Sequence, residues 1–168
     1  MDYVRIGCAC LAGLVFAVTA VSKLRDFDGF AQSLPALVPV PRRARRPLAA
    51  LVVALEALVP ILVAVPAATP YGLALAGGLL VAFTAAIAVA LGRGQHAPCR
   101  CFGVSAAPLG ARHLVRNSLL IAAASLGALL PDGSPALAGT ALALGAGLIG
   151  AILIVSFDDI VDLFARNT

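Results

Sequence analysis

Apolar residues run along this chain in five long stretches, separated by short polar or proline-rich breaks. A helix rises 1.5 Å per residue, so crossing a bilayer core of ~30 Å takes about 20 residues. Five segments meet that length: about 4–21, 48–65, 71–91, 113–130 and 137–157. The first lacks a basic leader and a small-residue cleavage site, which predicts a retained helix and not a removable signal. Pro47 predicts the start of the second helix. The fourth is the least apolar, because Arg116, Asn117 and Ser118 fall in its first turns, whereas the fifth carries no charge between Leu137 and Phe157. Pro66 to Pro70, and Pro131-Asp132-Gly133-Ser134-Pro135, read as turns. Two longer connections remain, Ser22 to Arg46 and Gly92 to Arg112. In the first of these, Leu24, Phe27, Phe30, Ala31, Leu34 and Leu37 recur at helical spacing with Asp26, Asp28 and Gln32 on other faces. That pattern predicts a short amphipathic helix lying at the membrane interface, broken by Pro39-Val40-Pro41.

Composition agrees with the pattern. Of 168 residues, 61% are hydrophobic and 12% charged, where a soluble domain carries ~25% charge. Too few polar side chains exist to cover a water-facing surface, so a soluble enzyme and a disordered tail are excluded. The expected architecture is all-α, a polytopic bundle forming one integral membrane domain over residues 1–168. Its basic pI does not mark a nucleic-acid binder, because the cations flank the apolar runs. With five spans, every one of the 12 Lys and Arg except Arg5 falls on one side. The positive-inside rule then puts the N-terminus outside, and the two long loops and C-terminal tail in the cytoplasm, of a plasma (inner) membrane. Small residues at every fourth place, Ala74, Gly78, Ala82, Ala86 and Ala90 in the third span and Gly139, Ala143, Gly147 and Ala151 in the fifth, predict close helix packing.

The sharpest chemical feature is His96-Ala97-Pro98-Cys99-Arg100-Cys101-Phe102-Gly103. Two thiols one residue apart, beside Arg93, Arg100 and Arg112, sit in a setting that favours thiolate, the reactive form. A disulfide between them would be strained, hence labile and oxidising. Three readings stay open: a redox pair, a soft-metal site for Cu(I) or zinc with His96 as a third ligand, and an idle pair. Cys8 and Cys10 lie at i and i+2 of a helix and do not face each other. They read as packing residues, with transmembrane electron relay the alternative. Glu56 lies about 13 Å into the second span, where a carboxylate marks a functional candidate. Its expected partner is Arg116 or Lys23, in a clamp between the first, second and fourth spans. Ser22-Lys23 reads first as an interface anchor, His113 as interfacial, and Asn117 as a member of a buried network. No Gly-x-Ser-x-Gly elbow, P-loop or His-Glu-x-x-His is present.

Several of these features stand in one order: Ser22-Lys23-Leu24, Phe30, Glu56, the run Ala82 to Val89, Cys99-Arg100-Cys101-Phe102-Gly103, then Arg116-Asn117. Over about residues 3 to 130 this resembles the methylamine utilisation protein MauE family, within the DoxX-like membrane proteins. The resemblance implies a four-helix DoxX-like core, with the fifth helix added. It implies redox chemistry with a thioredoxin-like partner, or support for a disulfide-rich client such as methylamine dehydrogenase. Cys99 and Cys101 would be the redox pair of a thiol–disulfide oxidoreductase, with Arg100, Phe102, Gly103, Glu56, Lys23, Arg116 and Asn117 supporting. No cofactor is assigned; a quinone would suit that role and Cu(I) would suit the metal-binding alternative, and a non-catalytic scaffold is the remaining alternative. Disulfides form outside the cytoplasm, while the charge bias places Cys99 and Cys101 inside. A cytoplasmic electron donor, access through the bundle, or the opposite orientation would each resolve this.

Overall fold

A computed structural model describes residues 2–94, 111–131 and 136–157. Among these residues six α-helices follow one another: α1 (Asp2–Arg25), α2 (Phe27–Leu37), α3 (Arg42–Ala64), α4 (Thr69–Gly92), α5 (Ala111–Leu129) and α6 (Leu137–Val155). One 3-10 turn, Pro66–Ala68, joins α3 to α4. Among the described residues all regular structure is helical. α1, α3, the Pro66–Gly92 stretch and α6 are each long and apolar enough to cross a membrane, and large apolar side chains such as Ile61, Leu142 and Ile149 point outward. This is a multi-pass membrane protein.

The expected elements form, with shifted ends. α3 begins at Arg42, directly after the Pro41 cap, and runs through Pro47 rather than starting there. Proline removes a single i→i−4 bond at this point, leaving the carbonyl of Arg43, an exposed residue near the helix start. α5 forms as a helix of 19 residues but is not among the four apolar spans. Arg112, His113, Arg116 and Asn117 occupy its first two turns.

α1 is the centre of the bundle and packs against α3, α4, α5 and α6. The shared core joins Ala9, Ala12, Val15 and Phe16 of α1 to Val59, Leu73, Leu80, Leu120 and Ala151. Small residues set the close approaches. Gly13 abuts Pro60 and Val63 of α3, Gly127 of α5 abuts Cys8, and Gly147 of α6 abuts Cys10 and the Gly7 carbonyl. These contacts fix direction as well as distance. Arg116 lies near Lys23 at one end, while Arg5 Nη1 donates to the Leu130 carbonyl at the other (3.1 Å). α5 therefore runs antiparallel to α1 along most of its length. α6 runs parallel to α1, from Gly139 beside Tyr3 to Gly150 beside Leu11.

Two packing expectations diverge. The α6 seam is used: Ala143, Gly147 and Ala151 are buried. The α4 seam is not. Ala74, Gly78 and Ala82 face outward and only Ala90 is buried, while Gly72, Leu73, Ala76, Leu80 and Ile87 face the core. Leu73, Leu80 and Ile87 fill the bundle interior from that face, and Ala74, Gly78 and Ala82 are left to the lipid side. The face of α2 expected at the interface is instead covered. Phe30, Ala31 and Leu34 pack on Ala49 and Val53 of α3, and Leu37 packs on Ile87 and Ala90 of α4. Leu24 stays exposed, outside that face.

Candidate functional site

At the end of the bundle where α1 and α4 finish and α3 and α5 begin, these four helices bring polar side chains into the apolar interior, and α2 adds a ring. Lys23 comes from the last turn of α1, and Glu56 from the middle of α3. Both are buried, 2% and 1% exposed. Lys23 Nζ donates to Glu56 Oε1 at 2.6 Å and Oε2 at 2.8 Å. The rings of Phe30, from α2, and Phe83, from α4, lie 5.3 and 5.6 Å from the ammonium. An ammonium between two ring faces and a bidentate carboxylate replaces the water it has lost.

α5 completes the cluster. Its first turns place His113, Arg116 and Asn117 inward, all buried, at the i, i+3 and i+4 spacing of one helix face. Arg116 Nη2 and His113 Nδ1 are 3.4 Å apart. Asn117 Nδ2 donates to Thr84 Oγ1 of α4 (3.2 Å), and Thr84 donates in turn to the Leu80 carbonyl (2.6 Å). Asn117 Oδ1 has no hydrogen-bond partner among the described residues. Arg116 is close enough to Lys23 to interact with it electrostatically. The described cluster thus sets a lysine and an arginine against one carboxylate, inside protein.

The expected clamp forms between α1 and α3, with Lys23 as the partner of Glu56. Lys23 is accordingly not a solvent-seeking anchor: the aromatic cage holds its head inside. Nor is His113 interfacial, since the face it shares with Arg116 turns into the bundle. The contributions of Phe83 and Thr84 were not legible, because both sit in a run of small apolar residues. Their signal was the local one of a ring and a hydroxyl on adjacent positions of an otherwise aliphatic helix.

The segment from residue 95 to 110, with His96, Cys99, Arg100, Cys101, Phe102 and Gly103, lies outside the described residues. Its described ends do not. α4 closes on Arg93 and on Gly94, which takes a left-handed backbone (φ 71°) and donates its N–H to the Leu91 carbonyl, a glycine helix stop. α5 begins at Ala111, five residues before Arg116 and six before Asn117. Both ends of the segment therefore lie at the end of the bundle that holds the buried cluster. Among the described residues no three His, Cys, Asp or Glu side chains are grouped as a metal site.

Cys8 and Cys10 are free thiols and serve different contacts. Cys8 packs against Gly127 of α5, and Cys10 against Gly147 of α6. The Cys10 thiol lies 3.6 Å from the Leu144 carbonyl. They sit near the opposite end of α1 from Lys23, as small packing residues in two helix crossings.

The family model described as Methylamine utilisation protein MauE matches residues 1–130. No curated protein and no solved structure matches the chain.

Proposed function

Because the chain belongs to the MauE family, the methylamine utilisation proteins, we infer that it is a membrane protein of methylamine utilisation that exchanges thiols and disulfides through Cys99 and Cys101. The observation that carries this reading is the convergence of Lys23, Glu56, Arg116 and Asn117 at the end of the bundle from which the Cys-x-Cys segment departs and to which it returns. A bundle gains little from burying two cations, a carboxylate and an amide in lipid-facing helices, and such groups mark a working site. Arg93 and Arg112 flank the segment in sequence, and cations favour thiolate.

The exchange balances as follows. The thiolate of one cysteine attacks a sulfur of the partner's disulfide, and the other partner sulfur leaves as thiolate. The second cysteine attacks the mixed disulfide and expels the partner's remaining thiolate. The pair ends as a disulfide, and the partner, a thioredoxin-like protein or a disulfide-rich client, gains two electrons and two protons. Run backward, the same steps donate a disulfide. The buried cluster takes no part in the bond changes and holds the ends of the segment in place. In the same reading α5 is a fifth span, for it runs from the level of Lys23 to that of Arg5, and its Arg116 is tolerated because it is buried in the bundle. The charge bias puts the Cys-x-Cys side in the cytoplasm of a plasma membrane.

The test uses Cys99→Ser and Cys101→Ser. One variant should accumulate a mixed disulfide with its partner, visible on a non-reducing gel and lost on reduction. Both should abolish maturation of the client enzyme at unchanged membrane levels. Full maturation in both variants contradicts the reading. So does stoichiometric copper in the purified protein that disappears with either cysteine, which assigns Cys99, Cys101 and His96 to Cu(I) instead.

A further inference from the structure

A second polar site lies outside the buried cluster. Between α2 and the first turn of α3 is a cavity of about 400 Å³ lined by Asp28, Ala31, Gln32, Arg42, Arg45 and Arg46. Three guanidinium groups share it with one carboxylate. Asp28 Oδ1 accepts from Arg46 Nη2 at 2.7 Å, and both of these side chains are well exposed. Arg42 and Arg45 have no ion pair among the described residues. The Arg45 Nε–H is shielded from solvent without a hydrogen-bond acceptor, and a buried donor left unmet is costly. No side chain caps the N-terminus of α3, so the positive end of a 23-residue helix adds to the same field. Each of these features lacks one thing, an oxyanion.

The position in the fold narrows the source. The apolar part of α3 starts at Leu48, two residues past Arg46, so the cavity lies where the hydrocarbon begins. Exposed Leu51, further along the same helix, faces lipid. A free phosphate would reach this level only by diffusion, whereas a lipid phosphate resides there. Three arginines against one aspartate also leave an excess of two positive charges. That excess favours a headgroup with net negative charge and repels the choline of a zwitterionic one.

We propose that this cavity binds the phosphate of an anionic phospholipid headgroup, with Arg42 and Arg45 as the charged donors and the Gln32 amide beside them. Asp28 restrains Arg46 and competes with the ligand. Because α2 and α3 also carry Phe30 and Glu56, a lipid bridging them holds α2 against the bundle from outside. The site owes nothing to the cysteine chemistry and stands or falls apart from it.

The full chain, purified in detergent, would be offered phosphatidylglycerol, phosphatidylcholine or inorganic phosphate, and retained ligand read by native mass spectrometry. Wild type should retain phosphatidylglycerol over phosphatidylcholine. Arg42→Gln/Arg45→Gln should lower that retention about thirtyfold, given the usual worth of two basic residues at an anionic membrane surface. Arg43→Gln removes the same charge one residue away, on a side chain that does not line the cavity, and should retain the lipid like wild type. Asp28→Asn should raise retention, a gain that no misfolded variant produces. Equal retention of the two lipids overturns the proposal. Equal loss in Arg43→Gln does too, as it shows a diffuse surface charge and no site. Binding of inorganic phosphate without preference for phosphatidylglycerol overturns the lipid assignment.

Discussion

Lys23 and Glu56 are ions that have given up water, and each loses several kcal/mol of hydration in doing so. What offsets this is geometry: both carboxylate oxygens within 2.8 Å of one ammonium and two rings over its remaining faces. Such a pair is worth little net against two apolar residues, but half of it is worse than none. Glu56→Leu should therefore destabilise the bundle by about 3–5 kcal/mol, and Lys23→Met/Glu56→Leu should regain most of that. Unfolding in mixed micelles with a denaturing detergent would read both, and equal loss in the single and double variants would contradict the cage. Lys23→Arg should not rescue, because a planar guanidinium does not fit between the two rings as a compact ammonium does. Glu56 was legible in the sequence, as a carboxylate in mid-span has few harmless explanations. Lys23 was legible only as one of two expected partners for Glu56, because a lysine in the last turn of a span ordinarily extends to water. Its fate was decided by Phe30 and Phe83, on helices that nothing local to α1 announces.

Among the elements, α4 and α6 carry the same small-residue spacing and use it oppositely. Gly147 faces α1, where an added Cβ would meet the Cys10 Cβ and the Gly7 carbonyl at 2.7 Å, while Gly78 has nothing within 4 Å. Gly147→Leu should thus part α6 from α1 and cost about 1–3 kcal/mol or more by overpacking. Gly78→Ala should be neutral, or stabilise by up to about 1 kcal/mol through helix propensity. Thermal unfolding of both in detergent checks the contrast, and equal tolerance would contradict the α1–α6 contact. Periodicity could not tell these faces apart. In water the buried face of a helix is the apolar one, but lipid and protein interior are both apolar, so the signal that orients a soluble helix vanishes. The same physics made α5 look weak. Its polar first turns lower its hydropathy, yet His113, Arg116 and Asn117 are buried and spend their polarity inside the bundle. For α2 the pattern gave the buried face correctly and only its cover differed, since α3 and α4 take the place of lipid.

At the scale of the molecule, direction follows from a few contacts. Arg5 and Lys23 lie at opposite ends of α1, α5 returns antiparallel between them, and α6 runs parallel to α1. The polar work gathers at the end of Lys23, with the arginines of α3 around it, and Cys8 and Cys10 stay near the other end as packing residues. That division was largely readable from where the charges fall, because a cation is tolerated only where it finds water, a headgroup or a buried partner. The central claim, a redox pair at the charged end, is tested most directly by thiol counting. In a Cys8→Ala/Cys10→Ala background the protein would be labelled with a membrane-impermeant maleimide, in intact and in permeabilised cells. Labelling would be repeated after a brief oxidant and after reductant. The account predicts no label in intact cells and two labels per chain once the cells are opened. It predicts that oxidant removes both labels together and that reductant restores both. Label in intact cells would reverse the orientation, and two thiols that stay reactive after oxidant would contradict the redox pair itself.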